Sequence, residues 1–232
     1  MLEIVNNFIN GEFAEPYNKE YLDIYEPATG SVYGKVADSS SHDINRAVES
    51  ATDAFPYWSG LSMVERADYL KKIAVEIKNR SNILAKYESR DTGKPITLAS
   101  KVDIPRAIEN FNFFADFSEN FYFESNIESE VFINSVSKQA LGVVGCISPW
   151  NLPLYLFTWK IAPALIVGNT VLAKPSEITP LTAIKLAEIC SDIGLPKGVL
   201  NIVNGTGHIA GDLIVKNKNI KAISFTGGTV TG

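Results

Sequence analysis

From Gly142 to Gly232 the sequence alternates between short apolar runs and longer amphipathic ones, and few folds satisfy that order. Gly142–Ile147, Thr170–Ala173, Leu200–Val203 and Ala222–Phe225 read as strands, while Pro153–Ile166, Pro180–Ile193 and Ile209–Lys216 read as helices. In the second helix Ala183, Leu186, Ala187, Cys190 and Ile193 share one face, with Lys185, Glu188 and Asp192 outside. Short strands that are apolar along their length are buried on both faces. Three successive strand–helix units therefore predict a parallel, doubly wound α/β sheet. Such sheets take ligands outside the carboxyl ends of their strands. Residues that carry chemistry are expected just after each strand.

The earlier part reads differently. Asn10-Gly11 between Phe8-Ile9 and Glu12-Phe13 is a hairpin signal, and a second turn at Pro27-Ala28-Thr29-Gly30 leads into a Val32–Val36 strand. Helical spacing follows at Ile44, Ala47, Val48, Ala51 and Phe55, with Ser41 expected as the N-cap. Further helices are expected through Ala67–Ile77, through Ile83–Tyr87 up to Gly93-Lys94-Pro95, and from Pro105 through Phe114. Ser125–Gln139 alternates in part and reads as an extended ribbon suited to a partner subunit. The expected organisation is hairpins and helices over 1–124, a bridging ribbon over 125–141 and a sheet core over 142–232. Because Gly227–Gly232 is a glycine-rich turn with no helix after it, the sequence is expected to be cut within a strand–helix unit.

A net charge of −5 and a pI near 5.2 argue against a nucleic-acid or anionic-lipid surface. MLEIVNNFIN lacks the pattern of a secretory leader, and Leu152–Val167 is too broken by Pro153, Lys160 and Pro163 to span a membrane. Two cysteines do not make a disulfide framework, so a cytoplasmic protein is expected. Cys146 falls inside an apolar strand and is expected to be structural. His42 and His208 have no second ligand at metal spacing, so no metal site is expected.

The strand ends are informative. After the first comes Ser148-Pro149-Trp150-Asn151-Leu152-Pro153, where the Asn151 amide is either an oxyanion donor or a helix N-cap. After the second comes Lys174-Pro175-Ser176-Glu177. A carboxylate there can accept from both hydroxyls of a ribose and disfavours a 2′-phosphate, although Glu177 could instead complement a helix dipole. Gly205-Thr206-Gly207-His208-Ile209-Ala210-Gly211 follows the third strand and is one residue off the dinucleotide fingerprint. Thr226-Gly227-Gly228-Thr229 follows the fourth and offers small residues and hydroxyls to a pyrophosphate.

Taken in order, Pro27-Ala28-Thr29-Gly30, Asp91-Thr92-Gly93-Lys94-Pro95, Ser148–Pro153, Gly168-Asn169-Thr170, Lys174–Glu177 and Phe225-Thr226-Gly227-Gly228 closely resemble the NAD(P)-dependent aldehyde dehydrogenase superfamily, over essentially the whole chain. The resemblance implies a Rossmann-like fold and NAD as cofactor. It implies an oxyanion role for Asn151, a ribose-holding pair in Lys174 and Glu177, and a cofactor cleft lined by Ile147, Ser148, Pro149, Trp150 and Ser176. It matches Gly207 and Gly211 to the family's glycine turn, and Thr226, Gly227, Gly228 and Thr229 to its pyrophosphate loop, with Gly228 where many members have Ser. The family's nucleophilic cysteine and its glutamate are expected beyond Gly232, and the ribbon implies a homodimer or homotetramer.

Leu98-Ala99-Ser100, Asp103-Ile104-Pro105-Arg106 and Ile147–Leu165 resemble most the branch acting on 2-aminomuconic and 2-hydroxymuconic semialdehydes. There an arginine matching Arg106 pairs with a substrate carboxylate; the plainer reading is a surface arginine beside Glu109. Two alternatives stand beside this one: a dehydrogenase for a small polar aldehyde of the betaine aldehyde type, and a truncated module that holds NAD without catalysis.

Overall fold

The computed structural model describes residues 2–118, 121, 124–128 and 131–232. Its main sheet has six strands in the order β11-β8-β9-β10-β2-β3: Ile220–Phe225, Val143–Ile147, Thr170–Lys174, Leu200–Ile202, Asn7–Ile9 and Glu12–Ala14. The first four are parallel, as the alternation from Gly142 predicts. The amino-terminal hairpin β2–β3 extends them, through an antiparallel pairing of Phe8 with Ile202. Its turn places Asn10 and Gly11 at φ of 55° and 75°, the backbone that a two-residue hairpin needs.

Both faces of the parallel strands are covered. Val144, Cys146, Val171 and Ala173 point into one core with Leu154, Phe157 and Ile161 of α6 (Pro153–Ile166) and Leu186, Ala187 and Cys190 of α7 (Leu181–Asp192). Val143, Ile147 and Leu172 point into the other, against Ile44, Ala47, Val48 and Ala51 of α1 (Ser41–Gly60) and Ile214 of α8 (Asp212–Lys216). Each Val, Ile, Leu or Phe among them contributes roughly 1.5–3 kcal/mol when fully buried. The sheet is thus doubly wound. Gly145 allows it to close on that second side, since a Cβ there would lie 2.9 Å from Ile214 Cγ2.

Behind α6 and α7 lie α2 (Met63–Asn79), α3 (Ser81–Thr92) and α5 (Ile104–Phe117). Gly93, at φ 73°, ends α3 in the left-handed conformation, as its position before Lys94-Pro95 predicts. Between α4 (Ile96–Leu98) and α5 the chain stays helical but passes through a π-type turn at Ala99–Asp103. A second sheet, β1-β5-β4, joins Glu3–Val5, Ser31–Ala37 and Tyr21–Glu26.

Two expectations need correction. The N-cap of α1 is Ser40, not Ser41, because the Asp43 carboxylate accepts from the Ser40 backbone N–H at 2.9 Å and fixes the turn one residue earlier. The helix expected over Ile209–Lys216 begins as a π-type turn at Gly207–Gly211 before α8. Within the stretch 125–141 expected as a ribbon, β7 (Ile133–Ser137) pairs antiparallel with β6 (Glu124–Glu128), matching Asn126 to Ser135. Residues 129 and 130 of that stretch lie outside the described residues. Among the described residues, no helix is long and apolar enough to cross a membrane.

Candidate functional site

The chain runs outward through β8, β9 and β10, then returns over the other face to place β11 beside β8. The strand order reverses at that point, and a crevice opens beyond the carboxyl ends of β8 and β11. A cavity of about 520 Å³ occupies it, lined by Ile147, Ser148, Pro149, Trp150, Asn151, Lys174, Ser176, Glu177, Gly207, Phe225, Thr226, Gly227, Gly228 and Thr231. All four strand-end segments singled out in the sequence meet there. Gly211 lines an adjoining cavity of about 620 Å³, with Gly207, His208 and Asp212. Thr229 lines neither. Arg106 is also outside both: it is exposed on α5, 3.7 Å from Glu109, and both side chains are more than half exposed.

At the β9 end, the Lys174 ammonium is buried. It donates to the Pro175 carbonyl at 2.9 Å and to Glu177 Oε2 at 3.2 Å. Burial pulls its pKa down, and the Glu177 carboxylate opposes that shift. Glu177 Oε1 accepts from the Gly207 N–H at 3.4 Å, so this carboxylate joins the lysine to the glycine turn. It does not cap α7, whose N-cap is Pro180. A Cβ built at Gly207, Gly211 or Gly228 meets nothing within 4 Å, so the backbone at all three is open on the cavity side. A buried ammonium, a half-buried carboxylate and open glycine backbone form a donor and acceptor set that fits the ribose and phosphates of a dinucleotide.

Asn151 lies at the other strand end. The N-cap of α6 is Leu152 and no side chain caps that helix, which removes the capping reading of Asn151. Its side chain is exposed, and among the described residues its amide has no hydrogen-bond partner. The amide is therefore free to face an incoming oxygen. The loop before it is tied down by Ser148, whose N–H donates to the Lys174 carbonyl at 3.0 Å.

Two features of the site were not read from the sequence as parts of it, although Asp91, Lys94 and Asp103 fall within motifs quoted there. Lys160, from the inner side of α6, donates from Nζ to Thr226 Oγ1 at 2.6 Å, and burial lowers its pKa. Its only sequence signal is a lone charge in an otherwise apolar helix. The second is a buried polar cluster behind the loop. Glu88 accepts from Thr182 Oγ1 at 2.8 Å and from the Leu154 N–H at 3.4 Å, and Asp91 accepts from the Leu181 N–H at 2.8 Å and from the Tyr33 hydroxyl. Burial raises both carboxyls to about 7. Lys94 completes the cluster, with Nζ 2.6 Å from Asp103 Oδ2.

Cys146 and Cys190 are free, buried thiols whose pKa values burial pushes up to about 12, which fits a structural role. His42 stacks on Tyr17. Among the described residues, no group of three or more His, Cys, Asp or Glu is arranged to hold a metal ion.

Comparison with known proteins agrees with this geometry. The family model "Aldehyde dehydrogenase family" matches residues 13–232. The chain is 46% identical over 229 residues to a 2-aminomuconic semialdehyde dehydrogenase of Danio rerio, covering 98% of this chain and 47% of that protein. It is 41% identical over 228 residues to a 5-carboxymethyl-2-hydroxymuconate semialdehyde dehydrogenase of Escherichia coli, again over 98% of this chain and 48% of that protein. A solved NAD+ complex of an aldehyde dehydrogenase from Bacillus cereus superposes with a TM-score of 0.95 at 37% identity, covering 99% of this chain and 47% of that one. The chain thus spans about half the length of the curated relatives it matches. With a Rossmann-like sheet, four strand ends converging on one cleft, and a family match over nearly its whole length, this chain belongs to the aldehyde dehydrogenase family.

Proposed function

We propose that this chain carries the cofactor-binding part of an enzyme that oxidises an aldehyde to a carboxylic acid with NAD. The observation that carries the reading is one cavity that holds both the Lys174–Glu177 pair and the uncommitted Asn151 amide. Lys174 and Glu177 would hold the adenosine ribose, and the open backbone at Gly207 and Gly228, with the adjoining Gly227, would lie against the pyrophosphate. Thr226 and Thr229 would add hydroxyls to that loop, and Ser176 and Gly211 would border the adenosine end. NAD, when bound, accepts the hydride of the reaction. Asn151 would donate to the oxygen that gains charge as the aldehyde carbon becomes tetrahedral.

The Glu177 carboxylate also sets which dinucleotide is accepted. A 2′-phosphate placed beside it would meet like charge with only one ammonium to offset it. Glu177→Gln in the full-length enzyme is expected to raise kcat/KM with NADP by about tenfold or more relative to NAD. Steady-state kinetics with the two dinucleotides measures this, and an unchanged ratio would remove Glu177 from the ribose site.

For the substrate, the reading is a carboxylated semialdehyde of the 2-aminomuconic or 2-hydroxymuconic type, with Arg106 as the carboxylate's partner. The similarity to the semialdehyde dehydrogenases supports it. So does the state of Arg106: an ion pair as exposed as that with Glu109 contributes little, and the guanidinium remains available. Arg106→Ala is expected to cost about 10- to 100-fold in kcat/KM on the carboxylated aldehyde. Betaine aldehyde should be affected little. Equal losses on both would assign Arg106 a structural role. Failure to form NADH with any aldehyde would favour a non-catalytic NAD-binding module. A cytoplasmic homo-oligomer joined through the 125–141 ribbon goes with this reading, supported by the exposure of Ile133 and Val136 along β7.

A further inference from the structure

We propose that Lys94 is a positioning residue for Asn151, gripping its main-chain carbonyl and thereby setting the direction of its amide. The proposal rests on the oxyanion reading of Asn151 given above. The backbone of an exposed side chain fixes the Cα–Cβ vector and limits the rotamers open to it, so whatever holds that backbone narrows the directions the donor can take. Lys94 Nζ donates to the Asn151 carbonyl oxygen at 3.2 Å. The same ammonium is held by Asp103 Oδ2 at 2.6 Å and lies 4.0 Å from Glu88 Oε1. The Lys94 and Asp103 side chains are only 11% and 1% exposed, so their ion pair is shielded from water and salt, while the bond to the Asn151 carbonyl lies at its exposed edge.

Two local features of the fold aim this lysine. Gly93, at φ 73°, stops α3 and turns Lys94 away from the helix axis, while Ser89 Oγ donates to the Lys94 carbonyl at 2.7 Å. The π-type turn at Ala99–Asp103 brings Asp103 to face the ammonium. Such turns are found frequently at functional sites. Three residues further on, Glu88 accepts from the Leu154 N–H, so the chain that leaves Asn151 is tied to the same buried cluster, while the chain that enters it is held to β9 through Ser148. A buried ion pair by itself says little about stability or function. Here the third direction of the ammonium leads to Asn151, whose side-chain amide has no hydrogen-bond partner among the described residues and lines the cavity.

The test uses the full-length enzyme and reads the hydride-transfer step as NADH appearance in a single turnover. Lys94→Met leaves Asp103 buried without a counter-charge and risks unfolding, so the informative variant is Lys94→Met with Asp103→Asn, which removes both charges. That pair is expected to slow hydride transfer by about 10²-fold, the scale of a displacement near 1 Å in a catalytic group. The NAD dissociation constant should stay within about twofold. Added to Asn151→Ala, the pair should slow the step by less than about threefold, since groups acting through one another are not additive. A full further loss on top of Asn151→Ala would overturn the proposal, as would NAD binding that weakens in parallel with the rate. Should Asn151→Ala itself leave hydride transfer at the wild-type rate, the oxyanion reading fails, and the role of Lys94 fails with it.

Discussion

Replacing Asn151 with Ala in the full-length enzyme is expected to lower the rate of hydride transfer by about 10²–10³-fold, the usual cost of losing one preorganised oxyanion donor. The physical case is one of direction and charge. An amide N–H carries a fixed dipole and no proton that must move, so it stabilises a developing alkoxide without reorganising. Asn151 sits on a loop pinned by a backbone hydrogen bond from Ser148 to β9 and by Lys94, and its side-chain amide has no hydrogen-bond partner among the described residues. Nothing of the protein therefore has to be broken before the donor is used. Because the residue is exposed and contributes no core packing, the fold should be untouched. The NAD dissociation constant and the thermal midpoint serve as controls. A near wild-type hydride-transfer rate in that variant would withdraw Asn151 from the chemistry.

Trp58→Ala is expected to destabilise the protein by about 3–5 kcal/mol, the range for deleting a large buried aromatic. Trp58 is fully buried, and it leaves α1 to join the core on the opposite side of the sheet. There its indole N–H donates to the Leu165 carbonyl at 3.0 Å, near the end of α6. The residue thus bridges the two helical layers that the sheet separates. Trp58→Phe keeps most of the apolar volume and removes only the indole donor, since the Leu165 carbonyl also accepts from the Val167 and Gly168 N–H. A smaller loss is expected there, of about 0.5–1.5 kcal/mol. Denaturant unfolding followed by far-UV circular dichroism measures both. A loss below about 1 kcal/mol for the alanine variant would show that the two layers do not depend on this bridge.

How much of this was readable in advance follows from the range over which each interaction acts. The parallel sheet was legible because both-face burial writes an apolar residue at nearly every strand position, and four such runs recur between helices. The β2–β3 turn was legible because Asn10 and Gly11 supply its backbone chemistry locally. Four strand ends at one edge follow from topology alone, which is why most of the expected lining residues do meet in one cavity.

What stayed hidden is mostly pairwise and distant. Lys94 and Asn151 are 57 positions apart, and no periodicity relates a helix-terminating lysine to a loop carbonyl. The π-type turn was invisible for another reason: one extra residue shifts a helical pattern by less than the pattern's own scatter. Ser40 and Ser41 are equally good caps by type, and only Asp43 decides between them. Lys160 announced itself as a charge in an apolar helix, but not as the partner of Thr226, 66 positions on. The pairing of Phe8 with Ile202 belongs to the same class, since an edge strand can add to a sheet from anywhere in the chain.

The footing of β9 has a mechanical consequence. β9 is hydrogen-bonded on both sides, by β8 and β10, and is buried along its length. Local opening free energies rise with buried contact and with the number of ladders that must part. The ledge under Lys174 is therefore stiff. A ligand reaching it would find its anchor already set and would spend little binding energy on ordering it.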